Sequence, residues 1–259
     1  MRDILGKLEE DGGDPVRRAQ KAMQTPKPKR FYKTAAVAQA NGGFAVQLDG
    51  KTAKTPGGKP LIVESEKAAA LAASEFAVQG EFIDAMSMPV LRLINTALDG
   101  VSLDPQAVLE DVLHFAGTDL LCYRAESPEG LVALQDKHWN PVLDWAEAEL
   151  GARMALAAGI VHVTQPREAI AAISVKLRDF ASPLPLAALH SMTSLTGSAL
   201  LALAAATGES TAEAAWAAAH VDEDWTNSFW GEDAEAQARR AARWREMQAA
   251  AALLAALKS

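Results

Sequence analysis

Between Phe31 and Pro60 apolar and polar positions alternate with a period of two. Phe44, Val46 and Leu48 fall on one side of a run whose other positions are Ala45 and Gln47, the pattern of a strand buried on one face. Asn41-Gly42-Gly43 before it and Asp49-Gly50 after it accept a positive φ at low cost, so both ends read as hairpin turns. Pro56-Gly57-Gly58 predicts a further turn, and Leu61-Ile62-Val63 a short buried strand. The period then changes. Ala68, Ala72 and Phe76 recur every four residues, predicting a helix that Gly80 ends. Val90-Leu91-Arg92-Leu93-Ile94 predicts a second helix starting near Met88-Pro89. A β-meander covered by one or two helices is therefore expected over residues 31–102.

From 103 to 259 the apolar spacing is helical. Asp104-Pro105 predicts an N-cap followed by proline at the first helical position. Asn140-Pro141 repeats that signal, with Gly151 placed to end the helix. Pro166 opens another, striped by Ile170, Ile173, Leu177 and Phe180. Ser210-Thr211-Ala212-Glu213 has the form of a capping box. The last helix is predicted from near Glu232, with Trp244, Met247, Ala251 and Leu254 on one face and Glu235 paired with Arg239. The expected fold class is α+β: a small β-rich N-terminal domain with one or two helices, then an all-helical C-terminal domain. Residues 1–30 read as a loose arm and linker. It has a short amphipathic segment at Ile4, Leu5 and Leu8, and the prolines of Thr25-Pro26-Lys27-Pro28-Lys29-Arg30 block regular helix.

Composition sharpens the helical reading. Alanine supplies 54 of the 259 residues, 38 of them after Gly100, and it is the residue with the lowest cost in a helix. A net charge of −8, from 25 basic and 33 acidic groups, disfavours general binding to nucleic acid or anionic membrane. That value averages a +4 segment over residues 1–33 and a −12 remainder. One cysteine, Cys122, leaves no internal disulfide framework or cysteine-built zinc finger and suits a reducing compartment. The opening MRDILGKLEEDGG is too acidic for a targeting segment, and the longest alanine-rich stretch, residues 195–207, is well short of the ~20 residues that cross a bilayer. A cytoplasmic protein is expected.

Candidate chemistry is sparse. No GxGxxG, GxxxxGK[ST] or GxSxG occurs, and Gly57-Gly58-Lys59-Pro60 lacks the spacing of a phosphate loop. His114, His138, His162, His190 and His220 form no HExxH and no i, i+4 pair. Cys122, between leucines and a tyrosine, reads as core, and Arg124 or His114 could activate it only if the fold brought them close. No cofactor, metal or catalytic residue is expected. The anomaly is electrostatic: residues 209–238 hold eight acids (Glu209, Glu213, Asp222, Glu223, Asp224, Glu232, Asp233 and Glu235) and no Lys or Arg. Trp216, Trp225, Phe229 and Trp230 are interleaved with them. Two readings stand: aromatics packed inside beneath a solvated acidic face, or acids and aromatics together forming a docking surface for a basic and apolar partner. Asp222, Asp224 and Glu232 lack the DxDxDG pattern of a calcium loop.

Seven groups of segments stand in a telling order. They are Arg30-Phe31-Tyr32-Lys33; Phe44-Ala45-Val46-Gln47-Leu48-Asp49-Gly50-Lys51 followed by Lys54-Thr55-Pro56; and Met88-Pro89 with Asn95-Thr96-Ala97-Leu98-Asp99. Thr118-Asp119-Leu120-Leu121-Cys122-Tyr123-Arg124 follows, then Trp139-Asn140-Pro141 through Trp145, Asp222-Glu223-Asp224-Trp225, and Trp230-Gly231-Glu232-Asp233. Together they resemble the assembly chaperone family for the F1 part of ATP synthase, in particular the member that binds the F1 α subunit. The family usually has tryptophan where this chain has Phe76. The resemblance implies a non-enzymatic chaperone, monomeric when free, that holds a new α subunit and shields its β-facing surface without ATP until β displaces it. It implies the bacterial cytoplasm, or the mitochondrial matrix for eukaryotic relatives. For partner binding it points to Asp222, Asp224, Trp225, Trp230, Glu232, Asp233 and Glu235. A small cytosolic enzyme using Cys122 or an acidic cluster, and a general interaction scaffold, are the alternatives.

Overall fold

The computed structural model describes residues 27–159, 161–231 and 233–258. The segment at Ile4, Leu5 and Leu8 lies outside them, as does Glu232. Strand β1 (Ala35–Ala40) folds back on β2 (Gly43–Leu48) through Asn41-Gly42, pairing Ala40 with Gly43 and Ala35 with Leu48. Strands β3 (Lys51–Thr52) and β4 (Ile62–Val63) both lie antiparallel along the other edge of β2. Gly43 answers a close approach: its φ is +141°, and a Cβ there would stand 2.3 Å from the Val63 carbonyl oxygen. Asp49 holds a φ of 48°, and its carboxylate accepts the backbone N–H groups of Lys33 at 3.0 Å and Thr34 at 2.8 Å, bonds that offset the strain.

Helix α1 (Glu66–Ala77) starts at Ser65, whose hydroxyl accepts from Ala68 N–H, and lays Ala68, Ala69, Ala72, Ala73 and Phe76 into the core. It ends at Ala77, before Gly80, and the Gln79 side chain ties it to the following loop, accepting Asp84 N–H at 2.7 Å and donating to Ser87 Oγ at 3.1 Å. Helix α2 (Pro89–Asp99) opens on its proline as expected. Its cap comes from α1: the Glu75 carboxylate accepts Val90 N–H at 2.9 Å and Leu91 N–H at 2.8 Å. At its far end Asp99 accepts Thr55 Oγ1 and Gly57 N–H, both at 2.7 Å, and so locks the Pro56-Gly57-Gly58 turn.

The rest is mostly helical: α3 (Pro105–Gly117), α4 (Glu129–Trp145), α5 (Arg167–Leu177), α6 (Pro183–Thr196), α7 (Ala199–Thr207), α8 (Ala212–Ala219), α9 (Val221–Trp230) and α10 (Ala234–Leu257). Strands β5 (Tyr123–Arg124) and β6 (Ala157–Ala158) form one short parallel pair. Helix α7 is apolar on every side and can only be a buried helix. It lies among α3, α4, α6, α8 and α10. Its N-terminus is buried too, so its first N–H groups need internal partners. Ser198 Oγ accepts Leu201 N–H at 3.0 Å, and the fully buried Asp119 carboxylate accepts Leu200 N–H at 3.1 Å. One buried cluster runs from Tyr32 to Ala256, and α10 reaches across α6 to α2 and α1. The chain is thus α+β, as its periodicity indicates.

Two local expectations are corrected. Pro141 lies inside α4, which begins at Glu129. A proline there forfeits a helix bond, but Gln135, Trp139, Val142 and Trp145 form one buried face that outweighs the loss. The helix still gives way to a π turn that Gly151 closes with a φ of 73°. The cap of α8 is Thr211, whose hydroxyl accepts Ala214 N–H at 3.1 Å, one residue beyond Ser210. Helix α10 begins at Ala234, where the sequence places it, behind Asp233, whose carboxylate accepts Ala236 N–H at 3.1 Å.

Candidate functional site

The acidic and aromatic run forms α8, α9 and the start of α10, and the fold sorts its members. Trp216 is buried: its ring packs 4.0 Å from His220 and 5.4 Å from Trp244, centroid to centroid. His220 sits beneath it with Nδ1 2.7 Å from the Trp216 carbonyl oxygen, and burial lowers its pKa. Helix α9 buries only Val221 and leans on α4. Two contacts set that lean. The buried amide of Gln135 on α4 donates to Asp222 Oδ1 at 2.7 Å while its oxygen accepts Ala125 N–H at 2.8 Å. The Trp225 ring covers Gly130, where a Cβ would come within 2.6 Å of Trp225 Cη2.

Gly130 is therefore glycine for the sake of Trp225. Replacing it with alanine is expected to push the indole off α4 and free α9. Hydrogen exchange should speed up over residues 221–230 while α7 stays protected, and unchanged exchange in α9 would show that Trp225 does not hold it.

The charges are sorted as well. Asp224 forms a two-pronged ion pair with Arg240 of α10, one arm at 2.9 Å, so part of the acidic surface is neutralised from sixteen residues away. Asp233 caps α10 through one oxygen of an exposed carboxylate, and the exposed Glu235 pairs with Arg239 at 2.6 Å as its spacing predicts. What stays open at the end of α9 is aromatic: Phe229, 66% exposed and edge-on to Trp225 at 5.0 Å, and Trp230, 86% exposed. The first sequence reading, aromatics packed inside, describes Trp216, whereas Phe229 and Trp230 stay exposed beside the acids. Phe229 was not among the residues expected to bind, though it stands one helical turn from Trp225. Gln135 and Arg240, which set the surface, lie outside the acidic run, and no local pattern marks them.

Cys122 is fully buried, and its thiol is pushed up to about 12, first by burial and then by neighbouring Asp119. A nucleophile needs the reverse shift. Among the described residues no three His, Cys, Asp or Glu side chains are grouped to hold a metal, and no helix is long and apolar enough to cross a membrane.

Known proteins share this fold. Residues 29–147 match the family described as ATP12 chaperone protein. The crystal structure of a putative chaperone from Agrobacterium tumefaciens, Atu1473, is 55% identical over 95% of this chain and 92% of that one, with a TM-score of 0.87. Atp12 from Paracoccus denitrificans is 35% identical over 88% of this chain and 98% of that one, with a TM-score of 0.81. The mitochondrial protein atp12 of Schizosaccharomyces pombe is 26% identical over 83% of this chain and 77% of that one. Fold and sequence together define the class, an α+β chaperone with a small sheet set on a helical body. The chain belongs to the ATP12 family of F1-ATPase assembly chaperones.

Proposed function

We propose that this chaperone holds the free α subunit of F1 and shields its β-facing surface until β displaces it, acting as a binding protein with no ATP hydrolysis. The observation that carries the reading is Trp230, 86% exposed beside Phe229 at the tip of a helix braced on two sides. An isolated subunit of a ring exposes apolar surface meant for its neighbour, and such patches aggregate. A tryptophan anchor covers apolar surface, and the surrounding carboxylates Asp222, Glu223, Asp233 and Glu235 steer a basic partner onto it. Glu232 belongs to the same stretch of sequence. The holder binds more weakly than the finished assembly, so β can replace it.

The test is binding of purified α subunit. Trp230→Ala is expected to weaken it about tenfold or more, the range of an interface anchor. Charge reversal at Glu232, Asp233 and Glu235 should weaken it most at low salt. Because Asp233 also caps α10, Glu223→Lys with Glu235→Lys gives the charge effect without that helix cost of about 1 kcal/mol. Unchanged affinity at low salt in both sets would sink the reading.

A further inference from the structure

Beside the sheet lies a concavity of opposite chemistry. About 460 Å³ in volume, it is lined by Phe31, Tyr32, Leu48, Ala53 and Phe76, with Lys51 and Lys54 at its rim. The floor is buried, whereas Phe31 stands 74% exposed as one wall. The floor is also rigid. Tyr32 Oη donates to the Phe76 carbonyl at 2.8 Å, and the Tyr32 ring meets Phe76 edge-on at 5.7 Å and Phe31 at 5.4 Å. The Arg30 guanidinium lies 4.7 Å over Tyr32 and donates to the carbonyls of Tyr32, Lys33 and Gln79. Asp49 lines the pocket, but its carboxylate is engaged by Lys33 and Thr34. Lys51 and Lys54 are exposed, and neither has an ion-pair partner among the described residues.

We propose that this pocket is a second docking point, which receives an aromatic or branched aliphatic side chain from an extended polypeptide whose carboxylates meet Lys51 and Lys54. The inference rests on the reading that the chain holds a protein client. Charge decides the occupant: two cations with no ion-pair partner among the described residues outnumber the one lining carboxylate, Asp49, and beside an apolar floor they select an acidic and apolar segment. Lys51 and Lys54 are three residues apart, at most about 10 Å along an extended chain, a span that two carboxylates a few residues apart in one polypeptide can match. A client that gives basic groups to the α9 tip and acidic groups to this pocket can dock in one orientation only.

The probe is a labelled nine-residue peptide with one phenylalanine flanked by aspartates, titrated into the ¹⁵N-labelled protein. Saturable binding at or below about 1 mM is expected, with shifts centred on Phe31, Lys51 and Lys54. Lys51→Glu with Lys54→Glu, and separately Phe31→Ala, should each weaken it at least about tenfold, whereas Trp230→Ala should leave it unchanged. These side chains are exposed; if the double reversal unfolds, Lys51→Gln with Lys54→Gln replaces it. The proposal is overturned by no saturable binding, by shifts mapping elsewhere, or by equal binding of the lysine-for-aspartate peptide. Tighter binding of decanoate would assign the pocket to a small amphiphile. Self-association that Phe31→Ala abolishes, without any effect on the peptide, would assign it to a second copy. Loss of α binding in pocket variants with the tip intact is expected. A tip variant that binds α normally would sink the tip reading alone.

Discussion

Replacing Trp139 with alanine is expected to cost about 3–5 kcal/mol, the range for removing a large buried aromatic, and to loosen the α9 tip with it. Trp139 is 1% exposed and wedged between α4 and α8. Its Nε1 donates to the Ala218 carbonyl at 2.7 Å, one of the α8 end carbonyls that have no helical partner. The Arg124 guanidinium stands 5.3 Å over the ring and also donates to Asn140 Oδ1 at 2.9 Å. Cavity and orphaned carbonyl therefore add. Trp139→Phe separates them: it keeps most of the volume, loses the hydrogen bond, and is expected to cost about 1–3 kcal/mol. Urea unfolding measures both. Because Gln135 and Gly130, which support α9 from α4, lie on the same helix as Trp139, α binding should weaken in the alanine variant beyond its loss of folded protein. A cost below about 1.5 kcal/mol for Trp139→Ala would mean that α4 and α8 are held by something other than this wedge.

Asp119 carries the second large effect. Its carboxylate accepts Leu121 N–H and Leu200 N–H, each at 3.1 Å, with Ser198 and Ala199 also donating, and so ties the Leu120–Cys122 turn to the buried start of α7. These donors and the helix dipole favour the charged form. Burial opposes them and wins, pushing the group up to about 6 from an ordinary 3.8. Asp119→Ala should cost about 3–5 kcal/mol, because several buried N–H groups lose their acceptor. The pH dependence has a definite sign. Between about 3.8 and 6 the folded chain keeps a proton that the unfolded chain has released. This group's contribution to stability is thus full below that window, falls by roughly 3 kcal/mol as pH rises through it, and is flat above. Asp49 and Asp84, whose pKa values are lowered by hydrogen bonds, slope the other way. The clean measurement is the difference between wild type and Asp119→Asn. The asparagine variant is less stable, because its NH₂ group faces N–H donors, but its deficit should shrink as pH rises from 4 to 7. A deficit independent of pH would contradict the assignment.

The motifs that resemble the chaperone family prove to be largely internal joints. Arg30 clasps the loop after α1, Asp99 holds the Pro56-Gly57-Gly58 turn, Asp119 caps α7, and Trp139 joins α4 to α8. Phe76, where the family usually has tryptophan, keeps the aromatic contact with Tyr32. The family was legible because these joints need particular side chains in a particular order. The surface was less legible, since these four side chains are engaged within the fold and do not mark which neighbouring groups face out.

By itself the sequence determined the α+β class, the hairpin at Asn41-Gly42, the starts of α2 and α3 at Pro89 and Pro105, and the Glu235–Arg239 pair. All of these depend on turns, caps and spacings that act within about four residues. Only the tertiary structure decided that Pro141 stays inside a helix, that Trp216 is core while Trp230 faces outward, and that Arg240 neutralises Asp224. It alone brought Phe31, Phe76 and Lys54 around one pocket. Local pattern says which residues share a face of an element. Which faces meet, and which are left to solvent, is set by the packing of distant segments, and the chemistry of this surface is what that packing leaves uncovered.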